Sequence, residues 1–445
     1  MNYLDDYESS SNRKIPYDDI PISRNSTSSS RRSSSSSSRT PVMVNRVLAC
    51  LVAVLFVINI VLCSVSIYFL KHSKTKEVNV FYNNINADTE SSALATSTAW
   101  WSSVCVAAGG SVSTNDSESF FSNARSRGSG VIYRIADDNK TIYFITCYHV
   151  VSGYEDKVWV LLPSQLKPIA VEVVSYSSHY DIAVLKYKSS TTADDILEGC
   201  TPIQVYDSTY ISVGDDSFAV GNPLSNGFSV TKGVISRINT LITVDNNNYL
   251  SREIQTDAAI NPGNSGGGLF NAEGKFVGLI NAKLNSSKSG TTTITVAGTA
   301  YAIPSTLVCS IAESIILNSG KATYVNLGVE FENDLDMGVT QTEVTYQGKN
   351  KLILKNYVTV SSVVDNSIAY RKLHSGDIID SIEITVLEGG KVVQKTIDMY
   401  NIYTFEDYSF AIVSGSEMKF NIRRNGITST TVVINASSFK HIVGE

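Results

Sequence analysis

The sequence predicts a mostly β chain: a large all-β unit in the middle, a smaller β-rich unit after it, and a single transmembrane helix before both. Three observations carry this. Short β runs punctuated by Gly and Asn fill residues 101 to 303, as in Gly130-Val131-Ile132-Tyr133, Ile142-Tyr143-Phe144-Ile145, Val158-Trp159-Val160-Leu161-Leu162 and Ile182-Ala183-Val184-Leu185. Many short strands at turn-marked spacing make a sandwich or a barrel. Val47 to Leu70 is almost wholly apolar and uncharged, and about 20 such residues cross a bilayer as a helix. Turn-marked β runs resume at about residue 324 and continue to the end.

Taken in order, residues 1–46 are polar and rich in Ser and Arg, with an unbroken serine run from Ser33 to Ser38. Such a segment buries too little apolar surface to offset its ordering entropy, and it reads as a disordered tail. The apolar run at 47–70 starts too far along the chain for a cleaved signal peptide. Arg31, Arg32, Arg39 and Arg46 precede it; Lys71, Lys74 and Lys76 follow. The small excess of positive charge before the span favours a cytoplasmic N-terminus and places the rest outside the cytoplasm, on the cell membrane. Residues 71–100 are polar and aperiodic and read as a linker. The large β unit spans 101–303. Leu307, Val308, Ile311, Ile315 and Ile316 then repeat at helical spacing within 304–323, with Ser305 as a plausible N-cap and Gly320 as a stop. The second unit occupies 324–445.

Composition narrows the function. With 445 residues, 43% of them hydrophobic, the chain can build two or three cored domains. A net charge of −6 lends no support to a nucleic-acid partner, which would call for a basic footprint. Cys105, Cys147, Cys200 and Cys309 match no metal-ligand spacing and cannot be paired from sequence, so buried free thiols are favoured over disulfides. No metal and no cofactor is called for.

The chemistry-bearing residues form one constellation. Ser265 sits in Asn261-Pro262-Gly263-Asn264-Ser265-Gly266-Gly267, where glycines permit a tight turn with close backbone approach. His149 ends the run Ile145-Thr146-Cys147-Tyr148-His149, and Asp181 opens Asp181-Ile182-Ala183-Val184-Leu185. A hydroxyl nucleophile needs an imidazole to take its proton and a carboxylate to hold the imidazole. It also needs backbone N–H groups facing the oxyanion, here those of Gly263 and Ser265. Each feature alone is commonplace: a Gly-Ser turn, one His among five, an Asp before a strand. Together, in the chain order His, Asp, Ser and on β runs, they are specific. Cys147, two residues before His149, is a rival nucleophile, but only Ser265 has the glycine-bracketed turn.

These residues make the chain resemble the HtrA (Deg) family of trypsin-like serine proteases. The resemblance runs from about 125 to 305: Gly128-Ser129-Gly130-Val131-Ile132, Thr146 to Val151, Asp181 to Lys186, Ala219 to Pro223, Val230 to Ser236, Ile254 to Gly267, and Tyr301 to Pro304. It implies a chymotrypsin-like pair of six-stranded antiparallel β-barrels with the triad between them, and a serine endopeptidase acting without ATP on misfolded or exposed polypeptides. Gly268 stands where the family usually has proline, which would loosen the next strand. Asn264 replaces the Asp that trypsin-like zymogens use for activation, so N-terminal clipping is not expected. Ala259 and Ile280 are the candidate pocket residues. With uncharged Ala259 at the floor nothing there pairs a buried Lys or Arg, and small or medium aliphatic side chains are expected at the cleaved position.

The second unit resembles a PDZ domain of the same family. Val358 to Val364 would be a strand, Asp365 to Ala369 a short helix, and Gly376-Asp377 a turn. Leu327, Gly328 and Val329 would form the loop that holds a C-terminal peptide's carboxylate while the peptide adds a strand. The stretch from Phe331 to Lys351 fits this pattern poorly and reads as an insertion. The family also implies a homotrimer, to which Trp100 and Trp101 could contribute. Two rival functions stay open: a regulatory protease that cuts one partner on peptide sensing, and a non-catalytic chaperone or PDZ scaffold.

Overall fold

The computed structural model describes residues 87–110, 123–165, 167–222, 227–244, 249–282, 286–289, 292–295, 299–334, 337–425 and 428–441. The tail expected at 1–46 and the transmembrane helix expected at 47–70 lie outside the described residues. Among the described residues no helix is long and apolar enough to cross a membrane.

The first element is α1 (Ala87–Trp101), which replaces the later half of the expected linker. Its apolar contact is made by small side chains: Ala95 and Ala99 are fully buried in the central core. That is why no stripe of large residues announces it. The hydroxyls of Ser102 and Ser103 donate to the carbonyls of Thr98 and Ala99 and satisfy its last turn.

Two closed barrels follow. The first holds β1 (Ser103–Gly110), β2 (Ala124–Ile135), β3 (Thr141–Cys147), β4 (Val158–Leu161), β5 (Ile169–Ser177) and β6 (Ile182–Lys188), in the spatial order β1-β2-β3-β6-β5-β4. The second holds β7 (Asp216–Gly221), β8 (Ser229–Val244), β9 (Tyr249–Thr256), β10 (Gly268–Phe270), β11 (Phe276–Ile280) and β14 (Ala300–Pro304), in the order β10-β11-β14-β9-β8-β7. Between β11 and β14 lies a separate ladder, β12 (Ser286–Ser289) with β13 (Thr292–Thr295). All barrel pairs are antiparallel, so the expected six-and-six architecture is present. Phe144, Phe270, Phe276, Ile132, Ile145, Leu162 and Leu185 are fully buried within it.

Two short helices decorate the first barrel, α2 (Tyr148–Val151) and α3 (Ala193–Leu197). The linking helix α4 (Ser305–Leu317) then packs on both barrels with Leu307, Val308, Ile311 and Ile315 buried. Its N-cap is Pro304, not Ser305. Ser305 is buried, and its hydroxyl donates to the Tyr206 carbonyl at 2.5 Å instead. Gly320, at φ +92°, ends the helix as expected, its amide reaching the Ile315 carbonyl at 2.8 Å.

The C-terminal part is built on a five-strand path. It runs β16 (Val329–Asn333), β19 (Val358–Val363), β20 (Ile378–Glu388), β22 (Glu417–Arg424), β23 (Thr428–Asn435), with β21 (Lys391–Asp398) also on β20. A helix, α5 (Thr404–Ser409), covers it; Val360, Ile379, Met399, Phe420 and Ile422 form the separate core. Outside it, β15 (Thr323–Val325) pairs with β24 (Phe439–His441). The helix expected over Asp365 to Ala369 is instead a run of turns. Asn366 (φ +60°) and Arg371 (φ +62°) are left-handed and break helical propagation.

The poorly fitting stretch after Phe331 is a hairpin, β17 (Val339–Tyr346) with β18 (Lys349–Asn356). It is fastened to the second barrel. Tyr346 stacks on Tyr210 at 4.1 Å between centroids, Lys351 pairs with Asp215 at 2.6 Å, and the Ser212 hydroxyl donates to the Leu352 carbonyl at 3.0 Å.

Candidate active site

Register places the base and the acid. Cys147 and Ile182 face each other at the paired ends of β3 and β6, so the residues just beyond, His149 and Asp181, meet. His149 sits in the single turn α2, pinned where the Tyr148 amide donates to the Asp181 carbonyl at 3.0 Å. Asp181 is left-handed, at φ +55°. Asp tolerates this region better than most residues, and such backbone collects at functional sites. Its Oδ1 accepts the His149 backbone N–H at 2.8 Å, and its Oδ2 lies 2.6 Å from His149 Nδ1. Both carboxylate oxygens are thus spent on one residue, and Nδ1 carries the proton toward Oδ2.

Ser265 lies in the turn between β9 and β10 and is buried. Three amides of that turn are engaged. Asn264 donates to the Asn261 carbonyl at 3.0 Å, Gly266 to Ile280 at 2.9 Å, and Gly267 to Asn264 at 2.9 Å. Among the described hydrogen bonds the amides of Gly263 and Ser265 donate none. These are the two expected to face an oxyanion. Gly263 is at φ +100° and Gly266 at φ +81°; a Cβ on Gly266 would stand 2.3 Å from the Ser129 carbonyl oxygen. The described hydrogen bonds do not include one between the Ser265 hydroxyl and His149.

Ser129 was not visible in the sequence as a site residue. Its hydroxyl donates to the Gly263 carbonyl at 2.7 Å and accepts the Asn222 amide at 2.9 Å. Its own amide donates to the Ser265 carbonyl at 2.8 Å, and its carbonyl accepts the Thr146 hydroxyl at 2.7 Å. A residue of the first barrel therefore fixes both ends of the turn's free-amide segment. Its only signal was its place in Gly128-Ser129-Gly130.

Cys147 is fully buried, its thiol 3.3 Å from the Ile280 carbonyl oxygen. Burial pushes that thiol well above the usual range, and the neighbouring Asp181 pushes it the same way. It is a poor nucleophile. Cys147, His149 and Asp181 have ligand atoms within 4.8 Å of one another. A metal there would have to displace the His149–Asp181 bond and ionise a thiol that burial keeps protonated, so the donor set suits a triad better than an ion.

The pocket residues divide. Ala259 is exposed, its carbonyl accepting the Thr231 hydroxyl at 2.8 Å. Ile280 corrects the expectation: its side chain is fully buried in the second barrel's core, and only its backbone reaches the site, through Gly266, Gly267 and Cys147. At Gly268 a Cβ would stand 2.3 Å from the Phe270 ring, so the position favours glycine over a larger residue. Asn264 is buried with Oδ1 unpartnered. Cys105, Cys147, Cys200 and Cys309 are all free thiols, the first three buried. In the C-terminal part, Leu327 is buried, Gly328 is at φ +69°, and Val329 opens the edge strand β16. Trp100 packs on Phe228 at 5.4 Å, leaving Trp101 partly exposed.

Residues 128–279 match the model of the trypsin-like peptidase domain. Among curated relatives, the serine protease Do-like HtrA of Lactobacillus helveticus is 34% identical over 310 residues, covering 68% of this chain and 66% of that protein. Its namesake from Lactococcus lactis subsp. lactis is 32% identical over 283 residues, covering 62% and 65%. The chain thus spans just under two thirds of the length of these relatives. A solved HtrA-type protease, AlgW with tripeptide, is similar at 25% identity over 78% of this chain and 97% of that one, with a TM-score of 0.46.

Proposed function

Because this chain carries a trypsin-like peptidase domain and has HtrA serine proteases as homologues, we propose that it is a serine endopeptidase working through Ser265, His149 and Asp181. The observation that carries this reading is the junction of two preformed parts. One is the His149–Asp181 pair at 2.6 Å; the other is a nucleophile turn whose two undonated amides are those of Gly263 and Ser265.

In the proposed reaction the Ser265 hydroxyl turns onto His149 Nε2 and attacks the scissile carbonyl. His149 takes the proton, and Asp181 stabilises the imidazolium through Nδ1–H. The oxyanion accepts the Gly263 and Ser265 amides, which donate no described hydrogen bond of their own and so are available to it. His149 then protonates the leaving amine, and water hydrolyses the acyl-enzyme by the same route.

The substrates proposed are unfolded or exposed polypeptides, with small or medium aliphatic residues at the cleaved position. Anchoring to the cell membrane through residues 47–70, N-terminus inside and protease outside, remains part of the proposal, as does assembly into a homotrimer. So does a PDZ-like role for 324–445, in which a C-terminal peptide adds to the free edge of β16 with its carboxylate at Leu327, Gly328 and Val329. What supports this is that β16 ends the sheet path and follows the Gly328 turn. A second reading, a protease whose turnover answers to its C-terminal unit, is favoured by the contacts of α5: Tyr180, next to Asp181, donates to Glu406 at 2.5 Å, and Arg252 pairs with Asp407. The test is hydrolysis of unfolded casein by the full chain in detergent, beside Ser265→Ala. Turnover lost in the variant is expected; equal turnover in both would defeat the proposal.

A further inference from the structure

One ionisable group at the buried end of the triad has no role in the reaction just described. Glu253, on β9, is 0% exposed. Its Oε1 accepts the Ser251 hydroxyl at 2.6 Å, while its Oε2 is buried with no partner. The Asn281 side chain lies within hydrogen-bonding reach of this carboxyl, yet Asn281 Oδ1 is also buried and unpartnered. Two orphaned acceptors in one closed cluster are what an ionised carboxylate would leave behind. A proton on Oε2 turns one of them into a donor for the other.

The charges around Glu253 point the same way. Asp181, from the turn before β6, faces it with like charge, and the Cys147 thiol at the end of β3 is close enough to feel it. Arg252, the neighbour on β9, is the nearby cation; its two terminal nitrogens are committed to Asp407 and to Asn239 Oδ1, and its Nε is buried without a partner. Ser251 and Asn281 are neutral.

The geometry points to Glu253 as a second acid in the neighbourhood of Asp181: a neutral, proton-bearing carboxyl, fully buried with one oxygen unpartnered, whose ionisation would add an uncompensated negative charge within reach of Asp181. Burial first, and then Asp181, push its carboxyl up to about 8, a direction Ser251, Arg252 and Asn281 only partly oppose. Glu253 touches no reacting atom. It acts on the reaction only through the charge it gains on ionising, and its role rests on the triad reading above. Near neutral pH it is silent. Above about 8 the ionised carboxylate has no partner for Oε2, and the buried cluster of Glu253, Ser251 and Asn281 must open to water or a cation.

Two measurements on the full chain test this separately from the triad itself. The first is infrared difference spectroscopy of folded Ser265→Ala, which needs no activity. A protonated-carboxyl band is expected at neutral pH, fading as pH rises through about 8 and missing when Glu253→Gln is added. Absence of that band at neutral pH would mean that the carboxyl is ionised and the Asn281 amide turned to serve it, and the inference would be wrong. The second is the pH profile of casein hydrolysis. In the otherwise unaltered chain kcat should fall about tenfold from pH ~7 to ~9.5 with KM little changed. In Glu253→Gln, which keeps the shape of the neutral acid, kcat should stay flat over that range. An identical alkaline fall in both proteins would overturn the inference, whereas no hydrolysis at any pH with the infrared band present would count against the triad reading alone.

Discussion

Ser129 illustrates what a single residue does in this site. Its hydroxyl is the only described link between the Gly263 carbonyl and the Asn222 amide, so replacing it strands one acceptor and one donor in a buried place. Ser129→Ala should lose about 1–3 kcal/mol of stability in denaturant titrations. It should also lower kcat by up to about a hundredfold, because the turn that aims the oxyanion amides is no longer held from the first barrel. A variant with unchanged kcat would show that the turn holds itself. The acid has a sharper signature. Asp181→Asn keeps the fold but presents the wrong partner to Nδ1, and a loss of about four orders of magnitude in kcat is expected. The candidate triad could be picked out of the sequence because Ser, His and Asp are chemically distinctive and arrive in a telling order; the structure brings His149 and Asp181 together. Ser129 and Glu253 could not. A serine between glycines and a glutamate in a β run look alike whether they face water or the inside of a barrel.

Among elements, the barrels were legible because alternation, short runs and turn residues repeat many times, and each repetition supports the others. Four elements were not. Helix α1 buries alanines, which carry no periodic signal. The α2 turn is fixed by its contacts with Asp181. The β17–β18 hairpin reads as an insertion because its reason for existing, the ledge of Tyr206, Tyr210 and Asp215 on the second barrel, is far away in sequence. Helix α5 belongs here too. Tyr180, next to Asp181, donates to Glu406 at 2.5 Å, Arg252 pairs with Asp407, and Tyr408 donates to Asp207. The Arg252–Asp407 pair is nearly closed to solvent, with side chains 9% and 6% exposed. Removing one partner of such a pair strands a charge, so Asp407→Leu should cost about 3–5 kcal/mol, while Arg252→Met with Asp407→Leu should recover most of it. Denaturant midpoints of the two variants decide this; equal losses would mean that the pair contributes as packing only.

For the whole molecule, the barrels, the linking helix and the C-terminal sheet form one fastened body, so ionisation inside the site is felt as stability. Glu253 supplies the case. Its carboxyl sits at about 8 when folded against 4.5 as the reference. A raised acid holds its proton more tightly in the folded chain, so its contribution is complete below the reference value and is lost as pH climbs toward about 8. Across that window stability should fall by up to about 1.4 kcal/mol per pH unit relative to Glu253→Gln, whose curve lacks this slope. Parallel curves for the two proteins would contradict the assignment. The β character of both regions was legible from the sequence, and the attachment of the C-terminal sheet to the barrels was not, because it is made by side chains scattered from Tyr180 to Tyr408. The central claim is that Ser265 is a nucleophile armed by His149 and Asp181, and labelling by a fluorophosphonate tests it most directly. The folded full chain should take up one label, on Ser265. Ser265→Ala should take up none, and His149→Ala should label slower by orders of magnitude. A folded chain that stays unlabelled, or that labels equally with Ala at 265, would contradict it.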